Sequence, residues 1–226
     1  MKLLLATRNE AKLAELRRIL APLVDAEVVG LGDVPAYREV PETGATFAEN
    51  ALIKAREAVR RTGLPAVADD SGLAVDALNG MPGVLSARWS GAGHTDESNL
   101  ALVLEQVADV PDERRGAAFL CAAALVLPDG TERVVEGRLD GTLARAPRGG
   151  NGFGYDPVFQ PLGETRTTAE MDPAEKDAIS HRGRAFRALA PLIAAELHRP
   201  CGRGPRTPRA VLPDTPGRVD HPRGVR

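Results

Sequence analysis

The spacing of apolar residues changes period several times along the chain, and each change marks an element. Residues 2–6 hold three consecutive leucines, as a buried strand would. Leu13, Leu16, Ile19 and Leu20 then recur at helical spacing and predict a helix over 9–20. Residues 26–29 predict a second short strand, and the Gly, Pro and polar residues of 30–45 a long loop. Thr46 with Glu49 three positions on predicts a capping box and a helix from 47 to about 61, ended by Gly63. On that helix Phe47, Ala51, Lys54, Ala55 and Ala58 share a face.

Residues 66–68 predict a strand that enters a tight turn at Asp69-Asp70-Ser71-Gly72, with extended chain resuming at 73–75. Thr95 opens a helix to about 108. The runs 116–127 and 131–139, joined by Pro128-Asp129-Gly130, predict a hairpin, and 172–198 a helical stretch after Pro173. Strands and helices mix without strict alternation, so the expected fold is α/β: a mixed sheet flanked by helices, in two lobes of one domain over residues 1–198.

Composition narrows the class. With 43% hydrophobic and 27% charged residues among 226, the chain reads as a soluble folded protein. Its longest apolar run, residues 117–127, falls well short of the roughly 18 residues of a membrane span. The apolar N-terminus runs straight into Arg8, Glu10 and Lys12, too short for a signal peptide, so a cytoplasmic location is expected. Cys121 and Cys201 offer neither a disulfide framework nor a zinc cluster. Residues 199–226 set seven arginines against Asp214 and Asp220 and contain six of the 18 prolines, which predicts a disordered basic tail. That tail has no aromatic residue to stack on bases, so no polymeric nucleic-acid partner is expected.

Four segments concentrate polar residues. Thr7, Arg8, Asn9 and Lys12 follow a strand and enter a helix, a place that binds anions or simply starts a helix. Glu42 precedes the helix carrying Asn50 and Lys54, and a lysine on that face either snorkels or meets an anion. Adjacent Asp69 and Asp70 repel unless a cation compensates; Mg²⁺ needs only one or two carboxylates, so Glu42 and Asp70 would suffice, while an Asx-type turn explains the pair without metal. Near Phe153-Gly154-Tyr155-Asp156 fall three of eight aromatic residues, Phe153, Tyr155 and Phe159, suited either to stacking on a base or to core packing. Lys176, His181 and Arg182 add donors farther on. Only four residues are lysines (2, 12, 54 and 176), and three of them fall in these segments. Lysine is the compact cation for phosphate, so these three positions point to one anionic ligand.

Together the motifs Ala6-Thr7-Arg8-Asn9 with Lys12, Glu42-Thr43-Gly44 with Glu49-Asn50-Ala51, Ala68-Asp69-Asp70-Ser71-Gly72, Pro82-Gly83 with Ser86-Ala87-Arg88, Phe153-Gly154-Tyr155-Asp156-Pro157 and Ser180-His181-Arg182-Gly183 resemble the inosine triphosphatase family, the non-canonical purine NTP pyrophosphatases. The resemblance spans about residues 2–197 and stops before the tail. It implies Mg²⁺-dependent hydrolysis of ITP, dITP or XTP to monophosphate and pyrophosphate, an elongated mixed sheet and a homodimer. By motif, Thr7, Arg8, Asn9, Lys12 and Lys54 would hold the triphosphate, Glu42 and Asp70 the metal, and Asp70 the attacking water. Ser71 joins the substrate contacts. Phe153, Gly154, Tyr155, Asp156, Lys176, His181 and Arg182 would hold base and sugar, with Arg182 donating to the purine 6-oxo group. Arg8 departs from the small residue of the family's opening motif. Two other classes compete. A haloacid-dehalogenase-type phosphatase would place its nucleophilic Asp after the first strand, where Thr7-Arg8-Asn9 stands, and a non-catalytic nucleotide sensor would have no use for the Glu42 and Asp70 pair.

Overall fold

The computed structural model describes residues 1–38 and 40–198; the tail from residue 199 onward, with Cys201, lies outside them. The elements in chain order are β1 (Lys2–Leu5), α1 (Glu10–Leu20), β2 (Glu27–Gly30), α2 (Phe47–Thr62), β3 (Ala66–Val75), α3 (Asp96–Gln106), β4 (Gly116–Val126), β5 (Glu132–Leu143), β6 (Phe159–Pro161), α4 (Pro173–Ile179) and α5 (His181–Leu197). They build a single six-stranded sheet in the order β2-β1-β3-β4-β5-β6. β1 runs parallel to β2 and β3, and the remaining pairs are antiparallel, so the sheet is mixed as the pattern predicts.

The leucines of β1 are fully buried because both faces of the sheet are covered there. Leu3 and Leu5 join Leu16, Leu20, Phe186 and Leu189 in a core under α1 and α5, while Leu4 packs with Ala51, Ala55 and Ala58 of α2. Small alanines on α2 let the helix lie close to the alanine-rich strands. A separate core gathers Leu73, Val75, Leu100, Val103, Phe119, Leu139 and Phe159 around α3 and the far end of the hairpin. Between Val67 of the first core and Leu73 of the second, β3 carries Asp69-Asp70-Ser71-Gly72, and there the functional cleft opens.

Local signals explain most element ends. Thr46 Oγ1 accepts from the Glu49 amide at 3.2 Å to start α2, and Gly63 at φ 68° ends it in the left-handed region. The predicted capping box is not closed, because the Glu49 carboxylate instead accepts from the Ala45 amide at 2.6 Å. The predicted turn at Asp69 to Gly72 is absent: β3 is continuous, and its ten residues pair in register with β4 from Ala66↔Val126 to Val75↔Ala117. The ladder to the long apolar β4 runs the whole length of β3, which outweighs the local turn preference of Asp, Ser and Gly. Likewise the predicted helical stretch from 172 is two helices, since Ser180 adopts extended geometry and caps α5 by accepting from the Gly183 amide at 2.9 Å.

Candidate active site

Since side chains alternate along a strand, Asp69 and Asp70 point to opposite faces of β3. Asp69, 2% exposed, faces α1 and α5. Its Oδ2 receives Lys12 Nζ at 3.3 Å, Arg182 Nε at 3.2 Å and Ser71 Oγ at 3.3 Å. Burial alone would raise the Asp69 pKa, but Lys12, Arg182 and Lys54 outweigh it and hold the carboxyl well below its ordinary value. Arg182 extends this network by donating from Nη1 to Glu15 Oε2 at 2.7 Å and from Nη2 to Ser71 Oγ at 2.7 Å.

Asp70 faces α2. Asn50, fully buried, donates from Nδ2 to Asp70 Oδ2 at 2.9 Å and accepts from the Gly44 amide on Oδ1 at 2.7 Å. One amide thus ties the Glu42-Thr43-Gly44 segment to the catalytic candidate. The fit leaves no room at Gly44, where a Cβ would meet Asn50 Oδ1 at 2.7 Å. Lys54 Nζ lies 2.9 Å from Glu42 Oε1 and 3.5 Å from Asp70 Oδ1, so both carboxylates converge on one ammonium. Burial raises the Asp70 pKa, Lys54 pulls it back, and the nearby Glu42 charge pushes it up again, leaving it above the ordinary carboxylate value. Lys54 itself is raised: burial lowers it, but Asp69, Asp70 and Glu42 together prevail.

Those two carboxylates fit a divalent cation. They are hard oxygen donors brought together on one side of the cleft by Lys54, with Arg88 Nη1 3.6 Å from the second Glu42 oxygen. Among the described residues no group of three or more His, Cys, Asp and Glu is preassembled for metal, so water and substrate oxygens would have to complete the shell, as Mg²⁺ prefers.

At the other end of the cleft, His181 opens α5 and stacks on Phe119 with centroids 4.8 Å apart. Burial, then Arg182 and Lys176, drive its pKa well below the ordinary value, which favours the neutral ring, and its Nδ1 has no hydrogen-bond partner among the described residues. Half-buried Phe153 carries Lys176 Nζ 5.1 Å and the Arg182 guanidinium 5.5 Å from its ring centroid. Asp156 is a hub: Oδ2 accepts from the Phe153 amide at 2.8 Å and from Lys176, and Oδ1 accepts from Thr168 Oγ1 at 2.7 Å.

The structure therefore gathers Asn9, Lys12, Glu42, Asp70 and Ser71 with Phe153, Gly154, Tyr155, Asp156, Lys176, His181 and Arg182 around one cleft. Three predicted residues stand apart from its lining. Thr7 accepts from the Asn9 amide at 3.2 Å and braces the turn. Arg8 donates to the Tyr37 carbonyl and lies in a separate hollow with Leu31, Val40 and Glu57. Lys54 reaches the cleft only through Glu42 and Asp70. The aromatic trio also divides. Phe159 is fully buried against Phe119, and Tyr155, 6% exposed, donates its hydroxyl to the Ser86 carbonyl at 2.8 Å, so Phe153 alone presents a partly open ring. Arg182, expected to read the base, commits Nε, Nη1 and Nη2 to protein oxygens.

Two further residues, Asn99 in the cleft lining and Glu15 behind Arg182, carry no motif of their own. Asn99 is a buried polar residue on the apolar face of α3, accepting from Ser90 and donating to the Ala87 carbonyl at 3.1 Å. Glu15 is a buried acid between Leu13 and Leu16 on α1. In each case the readable signal was a polar residue set in an apolar helix face.

A cleft with paired carboxylates and an ammonium at one end, and an aromatic ring beside a neutral imidazole at the other, defines an α/β enzyme that handles nucleotides. The chain belongs to the Ham1 family, whose profile matches residues 3–192. It is 64% identical over 195 residues to the dITP/XTP pyrophosphatase of Mycobacteroides abscessus, covering 85% of this chain and 95% of that one. It is 62% identical over 193 residues to the protein of the same name from Streptomyces coelicolor, covering 85% and 96%. Among solved structures, the nucleoside-triphosphatase / dITP/XTP pyrophosphatase from Mycobacterium abscessus superposes with a TM-score of 0.70 at 65% identity, over 84% of this chain and 100% of that one. A HAM1 protein from Coxiella burnetii superposes with a TM-score of 0.77 at 43% identity, over 86% and 99%. No helix among the described residues is long and apolar enough to cross a membrane.

Proposed function

We propose that the protein hydrolyses non-canonical purine nucleoside triphosphates, ITP, dITP and XTP, to the monophosphate and pyrophosphate. The observation that carries this reading is the convergence of Glu42 and Asp70 on Lys54 at the edge of the cleft. A site that only binds a polyanionic nucleotide gains nothing from two carboxylates beside the phosphates, whereas phosphoryl transfer depends on positioning and charge neutralisation there.

In this reading Lys12 and Asn9, at the start of α1, receive phosphate oxygens, helped by the helix N-terminus. Lys54 offsets charge on the leaving pyrophosphate. Asp70, held by Asn50, orients a water for in-line attack and takes up its proton. Glu42 and Asp70 would hold Mg²⁺, which supplies further charge neutralisation on the phosphate oxygens when bound. Ser71, on the Asp69 side, keeps Arg182 in place. Phe153 stacks on the base, and neutral His181 with Lys176 offers donors to a 6-oxo group, while the committed Arg182 contributes chiefly through its charge.

Adenine presents an amino group where hypoxanthine and xanthine present oxygen, and a donor facing a donor leaves both unpaired. ITP, dITP and XTP are therefore expected to exceed ATP in kcat/KM by more than about 100-fold. A panel of triphosphates scored by pyrophosphate release tests this, and equal turnover of ATP and ITP would overturn it. The same reading carries a homodimer acting in the cytoplasm; light scattering on the purified chain tests the dimer.

A further inference from the structure

We propose that Asp96 is a positioning residue for the base end of the cleft, acting through the backbone of Phe153 and Gly154. Phe153 and Gly154 present consecutive amide N–H groups, and two carboxylates take them. Asp156 Oδ2 accepts from Phe153 at 2.8 Å, and Asp96 Oδ2 accepts from Gly154 at 2.8 Å. Asp156 anchors the loop toward Lys176 and α4, whereas Asp96 anchors it toward α3. The loop needs both, because glycines flank the ring-bearing residue: Gly152 at φ 76° and Gly154 at φ 61° occupy the left-handed region and leave Phe153 on a backbone with few intrinsic restraints.

The helix dipole favours an acid in the first turn of α3, but Glu97 serves that purpose too and does not reach the loop. The start of α3 is already capped by Thr95 and Ser98, which exchange backbone and side-chain bonds at 2.8 and 3.1 Å. Asp96 is exposed, lines the cleft, and makes a charge-assisted bond to a backbone donor on the facing loop. Its loss frees the Phe153 ring to sample other positions, and a base that stacks there must then order the loop as it binds. The role rests on the base-stacking reading of Phe153 given above.

The test compares wild type, Asp96→Ala and Asp96→Asn in three assays: pyrophosphate release from ITP, calorimetric binding of IMP and of inorganic pyrophosphate, and thermal melting. Asp96→Ala is expected to raise KM for ITP and Kd for IMP about tenfold, with the defect on KM rather than kcat. Pyrophosphate affinity and melting temperature stay near wild type. Asp96→Asn keeps an acceptor oxygen and recovers most of the IMP affinity. Unchanged IMP affinity in Asp96→Ala, equal loss of IMP and pyrophosphate affinity, or equal defects in the two variants would each overturn the role. A wild-type chain that turns over ITP while Asp96→Ala binds IMP normally removes Asp96 alone. A wild type that releases no pyrophosphate from ITP instead overturns the proposed activity.

Discussion

Asp69 and Asp70 are neighbours in sequence and opposites in environment. On the α1 and α5 face, Asp69 is held by Lys12 and Arg182, and its pKa is depressed. On the α2 face, Asp70 accepts from Asn50 and shares Lys54 with Glu42, and burial holds its pKa above the ordinary value. The strand thus separates a carboxylate whose cations outweigh its burial from one whose burial outweighs its cation. A carboxylate held ionised by buried cations serves structure, and one with a raised pKa is suited to taking up a proton.

The sharpest way to break this comparison is to remove each charge isosterically. Asp70→Asn is expected to lower kcat by more than about 100-fold while the fold persists, since it removes a general base and a metal ligand together. Pyrophosphate release at saturating Mg²⁺ measures this, and near wild-type turnover would reverse the assignment. Asp69→Asn should act chiefly on stability, by about 3 kcal/mol, because it leaves Lys12 and Arg182 with less compensation in a buried site. In a domain of this size that is a fall of roughly 10 °C in melting temperature. The pH dependence has a definite sign. Asp69 is depressed in the folded state, so its contribution is complete above the ordinary carboxylate range and lost as pH falls through its lower native value. Melting curves below about pH 5 should therefore fall more steeply for wild type than for Asp69→Asn.

Two smaller effects sharpen the same contrast. Asn50→Ala removes the buried bond that holds Asp70 and frees the Gly44 segment, and about a tenfold loss in kcat is expected. A loss as large as that of Asp70→Asn would mean that Asn50 does more than orient. His181, on the Asp69 side, is depressed by burial and by Arg182 and Lys176. Its neutral form favours the native state above the ordinary histidine pKa, and stability falls as pH drops below about 6.5, by at most about 1.4 kcal/mol per pH unit. Melting temperatures at three pH values should show a shallower slope for His181→Gln, and an identical slope would place a different group in control.

Elements with strong local signals could be read in advance. The three leucines of β1, the Thr46 and Gly63 ends of α2 and the hairpin turn after β4 each follow from side-chain chemistry within a few positions. The cleft residues were legible as motifs, because phosphate, metal and base each call for a restricted choice of side chain. Partnership was harder to see. Arg182 looked like a base reader, and only its distances to Glu15, Asp69 and Ser71 assign it to a buried network. Glu15 lies 167 positions away from it, and no local pattern reports that contact.

The sequence by itself determined which elements form, where most of them stop and which polar residues are candidates for chemistry, since these depend on short-range periodicity and capping. Tertiary structure decided what the Asp69-Asp70 pair means. Local preference favours a turn there, yet the ladder to β4 extends the chain and sends the two carboxylates to opposite faces. Once extended, each meets the charges of different helices, and the dielectric and partners of each face set one carboxyl below its ordinary pKa and the other above it.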